Sequence, residues 1–183
     1  MPRSGEVVGR FRLSWPAALR GGGMRYYDFT IDGERVGYYE IDERPGLLYA
    51  NARMLIDGAA QQRAFWVRHA DGRPTEVRVG GSGWQRVPSG AFPTSAYPLV
   101  LRRALDRYRA FVEGTGALDE REIRNEDGVV VERSSDRVTR TFIVRAGVVV
   151  AISWGGGAES RLVSSWEEAT RGTAFEAPQV GSS

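Results

Sequence analysis

SAYPLVLRRALDRYRAFVE, residues 95–113, stands apart in a chain that otherwise reads as short strands. Tyr97, Leu101, Ala104, Leu105, Tyr108, Phe111 and Val112 recur at i, i+4, i+7, i+8, i+11, i+14 and i+15, one continuous apolar stripe at helical period. Arg102, Arg103, Asp106, Arg109 and Glu113 take the other side. Ser95 suits an N-cap, Pro98 suits a first turn that has no N–H to lose, and Gly114 and Gly116 supply a stop. The spacing predicts one amphipathic helix over 95–113, dry on one face and wet on the other.

On both sides of it the period changes to two. In RYYDFTID, Tyr27, Phe29 and Ile31 share a face opposite Tyr26, Asp28, Thr30 and Asp32. In GLLYANARMLI, Leu48, Ala50, Ala52, Met54 and Ile56 do the same. Asp32-Gly33, Asp57-Gly58, Asp71-Gly72, Asp127-Gly128 and Ala146-Gly147 punctuate these runs as tight hairpin turns. After the helix come ALDEREIR, GVVVERS, DRVTRTFIV, GVVVAISW and SRLVSSW. This rhythm predicts a mainly β fold of nine or ten antiparallel strands with one main helix. A sheet that wide curls, and its concave face must be covered. The expected architecture is therefore a strongly curved meander or half-barrel wrapped around the single helix.

At 183 residues the chain suits one domain, expected over 24–175, with a frayed tail at 176–183. Residues 1–23 read either as an extension carrying an extra strand, EVVGRFRL, or as translated leader ahead of a true start at Met24. No apolar run has the length of a signal-peptide core or of a membrane span, which predicts a cytoplasmic protein. Cysteine is absent, which excludes disulfides and thiolate sites. All 25 basic residues are arginine, with net charge only +2. They interleave with Asp and Glu as in REIRNED and VERSSDR, which argues against a nucleic-acid binder.

Chemistry is thinly signalled. His69, in RHADG, is the only histidine; as a general base it would need Asp71 as orienter. No second histidine or convergent carboxylate set accompanies it, so neither a metal nor a cofactor is expected. Ser164 and Ser165 lack a nucleophile-elbow context, and the glycines at 80–83 and 155–157 lack a P-loop's lysine and following helix. No catalytic residue is assigned.

Three features carry a resemblance: Asp32-Gly33 with Gly37, the long strand after it, and the Tyr97-Pro98 helix start. Over residues 24–170 the chain resembles bacterial glycolipid-binding-like proteins and, more remotely, the lipoprotein-carrier half-barrels. The resemblance implies a curved sheet enclosing an apolar cavity and no defined catalytic motif.

The reading that follows is non-enzymatic binding of a lipid-like or other apolar small molecule between sheet and helix. Met54 and Ile56 with Tyr97, Leu101, Leu105 and Tyr108 are expected to line the site, and Arg53 and Arg68 to meet an anionic head at its rim. The alternative is an interaction domain with a packed core and a homodimer interface. An enzyme using His69 ranks third.

Overall fold

A computed structural model describes residues 23–176. The readings made on residues 1–22 and on 177–183 lie outside the described residues.

The fold is mainly β, as the period-two runs predict. Thirteen strands form one sheet: β1 (Gly23–Ile31), β2 (Glu34–Arg44), β3 (Leu47–Ile56), β4 (Ala59–Ala70), β5 (Arg73–Val79), β6 (Gln85–Arg86), β7 (Ala91–Pro93), β8 (Arg107–Val112), β9 (Ala117–Glu126), β10 (Val129–Ser134), β11 (Arg137–Arg145), β12 (Val148–Gly155) and β13 (Ala158–Val163). Their spatial order is β6-β5-β4-β3-β2-β1-β13-β12-β11-β10-β9-β8-β7. From β1, in the middle of the sheet, the described chain meanders out to one edge. It then crosses to the other edge and meanders back until β13 pairs with β1. Among the described residues every pairing is antiparallel except β7 with β8, and the ladder is open, with β6 and β7 as its edges.

The hairpins fall where their turn residues demand. Asp32-Gly33, Asp57-Gly58, Asp71-Gly72, Asp127-Gly128 and Ala146-Gly147 all hold positive φ at both positions, the geometry that matches strand twist. Gly37 has a different reason to be glycine. A Cβ there would lie 1.9 Å from the Arg53 carbonyl oxygen, so β2 and β3 pack too closely for any side chain.

The single long helix over 95–113 is corrected. A 3₁₀ turn, Thr94–Ala96, leads into α1, which spans only Tyr97–Arg102. Ala104 then adopts φ +50°, and from Arg107 the chain is strand β8. Nor is α1 amphipathic: Tyr97 through Leu101 are all buried. A six-residue helix hydrophobic on every side is core, not cover. Pro98 does sit in the first turn, but Ser95 is not the cap. Glu113, on the strand side, accepts from the Ser95 amide at 2.7 Å and its hydroxyl at 2.6 Å, and also from the Thr94 hydroxyl. A second helix, α2 (Trp166–Thr170), lies in the run expected to be strand and loose tail.

Aromatic packing seats α1 on the sheet. The Tyr97 ring stacks on Phe142 of β11 at 4.9 Å and meets Trp154 of β12 edge-on at 6.1 Å. Tyr39 of β2 packs on Tyr27 and Trp154 at 5.5 and 5.3 Å. Each such pair is worth about 0.5–1.5 kcal/mol beyond the area it buries. The core runs from here through Ile41, Leu48, Val67, Leu99, Val130 and Ile152, all at most 1% exposed.

Candidate functional site

Period two decides which side chains reach the interior. On β3 the even positions face inward: Leu48, Ala50 and Met54 are buried in one core cluster with Phe29, Tyr39 and Leu99 of α1. The odd positions, Tyr49, Arg53 and Leu55, take the outer face. β4 follows suit, since Arg63 pairs with Ala52 and Phe65 with Ala50.

Against this inner face lies a cavity of about 430 Å³. Phe29, Tyr39, Ala52, Met54, Phe65 and Trp154 give it apolar walls. The 3₁₀ turn closes one side with Thr94 and Ser95. Its charged lining residues are all arginine: Arg63, Arg121 and Arg140. A second hollow of about 380 Å³ shares Arg121, Thr139 and Trp154 with it and adds Asp119, Ser134, Arg137, Gly155 and Gly156. The two make one trough with an apolar end and a polar end.

A buried ionic network lies behind two of the residues they share, Arg121 and Thr139. Glu132 of β10 is 1% exposed. Arg140 of β11 donates to it twice, from Nε at 3.0 Å and Nη2 at 2.7 Å. Arg121 Nη1 adds a bond at 2.5 Å, the Thr139 hydroxyl one at 2.6 Å and the Tyr108 hydroxyl one at 2.5 Å. Burial alone pushes the Glu132 carboxyl up; the Arg140 charge and the hydrogen bonds from Arg140, Thr139 and Tyr108 outweigh it and hold it down at about 2. Burial pulls the Arg140 guanidinium down, yet Glu132 keeps it firmly charged. Two guanidiniums share one carboxylate here, and Arg121 takes a further bond to Asp119 at 3.1 Å. Arg140 Nη1 also donates to the Thr94 carbonyl at 2.6 Å, tying the network to the turn that closes the cavity.

Of the residues expected at the site, only Met54 lines this trough. Tyr97 and Leu101 are in the packed core, and Ile56 is partly buried against it. Leu105 and Tyr108 line a separate cleft beside the edge strands. Arg53 lies over the ring of Phe175, and Arg68 over Trp84 with a bond to Glu76 at 2.8 Å. Both stand on the outer face, because arginines that alternate with inward apolar residues must point away from them. The cations that reach the interior are at inward parity, Arg121 beside Ile123 and Arg140 beside Phe142, while Arg63, beside Phe65, lines the cavity from an exposed position. That parity was the signal in the sequence.

His69 sits at a β-bulge, and burial lowers its pKa. Its Nδ1 is buried without a partner, and Asp71 makes no hydrogen bond to it among the described residues. No group of three His, Cys, Asp or Glu that could hold a metal occurs among the described residues, and no helix there is long and apolar enough to cross a membrane.

Comparison with protein-family models finds no match for this chain, and comparison with curated proteins finds no relative.

Proposed function

We propose that the protein binds an anionic amphiphile, non-enzymatically, with the apolar part in the Met54 cavity and the charged head toward Arg63 and Arg121 in its lining. The observation that carries this reading is the lining of the cavity: aromatic and aliphatic walls with arginines as the only charged residues. Its volume of about 430 Å³ suits a small organic ligand. Guanidiniums recognise carboxylate, phosphate and sulfate heads by paired hydrogen bonds.

The half-barrel belongs to the same proposal, and connectivity supports it. A flat sheet of thirteen strands would be roughly 58 Å wide. The chain goes from Arg86 on one edge to Ala91 on the other, a reach of about 18 Å at full extension. The Val87 amide donates to the Thr75 carbonyl at 2.9 Å just where that crossing begins.

The test is native mass spectrometry of the freshly purified protein, organic extraction of anything released, and titration with oleate and with oleyl alcohol. One oleate per chain is expected, bound more tightly than the alcohol. Met54→Trp, which fills the cavity, is expected to abolish uptake. A clean unliganded mass with no uptake of either probe overturns the reading. In that case the second reading gains: a homodimer through the outer face, where Val129 and Ile143 pair across strands while 37% and 38% exposed. Concentration-dependent mass in sedimentation, lost in Ile143→Glu, would support it.

A further inference from the structure

A cleft larger than the trough's hollows lies away from them, between β5 and the segment running from β6 through β8. It encloses about 910 Å³. Four arginines line it, each from a different element: Arg73 opens β5, Arg86 ends β6, Arg103 caps α1 and Arg107 opens β8. Asp71 is the one acidic residue lining it.

This is local concentration of charge, since the whole chain carries only +2. Two of the four arginines are engaged by neighbours and two are not. Arg107 is paired with Glu122 at 2.6 Å, and Arg103 donates to the Asp71 backbone carbonyl at 3.2 Å. Neither Arg73 nor Arg86 has a carboxylate partner among the described residues. Beneath them the floor is dry: Val87, Ala91, Phe92 and Tyr108 are all at most 6% exposed. Cations rimming a concave, low-dielectric floor repel one another and focus a positive field into the space between them. A multiply charged anion relieves that repulsion and accepts from several guanidiniums at once.

We infer that this cleft is a second binding site, selective for a small polyanion of the phosphate class and independent of the interior trough. Its concave shape and size fit a small molecule. A flat or striped basic surface, the form suited to a polymer, is not what these residues make.

The test is calorimetric titration of the full chain with inorganic pyrophosphate at low salt, on three variants beside the wild type. One-site binding is expected. Arg73→Ala/Arg86→Ala is expected to weaken it at least tenfold. Arg124→Ala/Arg145→Ala removes the same charge from exposed positions outside the cleft and is expected to change it less than twofold. Met54→Trp is expected to leave it intact, whatever the trough binds. Absence of binding at millimolar pyrophosphate, an equal loss in both double variants, or loss in Met54→Trp would each overturn the inference.

Discussion

Replacing Glu132 by glutamine changes two atoms' chemistry and no shape, and it strikes the most connected polar group in the fold. The wild-type carboxylate accepts five hydrogen bonds, from Arg140 twice, Arg121, Thr139 and Tyr108. An amide offers one acceptor and turns two donors toward neighbours that are themselves donors. Arg140, 7% exposed, then loses its counter-charge. Breaking a buried pair from one side costs about 3–5 kcal/mol, because the remaining ion cannot reach water. That is a large part of the roughly 5–15 kcal/mol of a typical domain. With a urea m-value of about 2 kcal/mol/M, the unfolding midpoint is expected to fall by roughly 1.5–2.5 M. Glu132→Met/Arg140→Met removes both charges and keeps the packing, so it is expected to recover most of the loss. A Glu132→Gln protein within about 1 kcal/mol of wild type would refute this account of the network, as would a double variant no better than the single.

The same carboxylate makes the fold acid-labile. Its folded pKa of about 2 lies below the usual 4.5, so its stabilisation is complete above pH 4.5 and lost as pH falls toward 2. The shift corresponds to roughly 3 kcal/mol, and melting temperatures from pH 7 to 2 should steepen there in wild type but not in Glu132→Gln. Gly37→Ala is expected to cost about 3 kcal/mol, since backbone atoms Arg53 O and Met54 Cα would lie 1.9 and 2.9 Å from the new methyl. Gly81→Ala, with nothing within 4 Å, is the control that urea unfolding should find no less stable than wild type. Ala104→Gly is expected to stabilise by about 0.5 kcal/mol on the same assay.

Sequence reasoning found the sheet because Asp-Gly turns and alternating apolar residues act locally. It missed α2, although Ser165 and Glu168 stand at capping-box spacing and the Ser165 hydroxyl does accept from the Glu168 amide at 3.2 Å. Two serines after LV looked like a continuing strand. The trough was half legible. Met54 and its face follow from period two, and so does the outward direction of Arg53 and Arg68. Glu132 and Arg121 lie in the mixed-charge runs VERSSDR and REIRNED, and Arg140 in DRVTRTFIV, where no local signal sets them apart. Yet Glu132 shares the parity of buried Val130, Arg140 that of Phe142, and Arg121 that of Ile123. Charges at inward positions on three successive strands must find one another.

The stretch 95–113 is the deeper failure, because its helical stripe is real and its structure is not a helix. Residues 108–112 satisfy both periods: Tyr108, Ala110 and Val112 alternate, while Tyr108, Phe111 and Val112 share a helical face. Local pattern cannot choose between them, so the choice falls to what each conformation pairs with. As strand, residues 107–112 gain a full ladder with β9 on one side, and β7 adds a short parallel pairing on the other. As helix they would leave the inner edge of β9 bare. The toll is taken at Ala104, forced to φ +50° where α1 ends. That conformation costs an L-residue about 1–2 kcal/mol, and no glycine relieves it. Ala104→Gly therefore reads the outcome by its sign. In the middle of a helix the substitution would destabilise by about 1 kcal/mol. At a left-handed residue it removes strain, offset in part by the extra freedom of the unfolded chain. A rise in the urea midpoint fits a chain that turns at 104, and a fall of that size would mean that the helix runs on and that the β8 ladder is wrong.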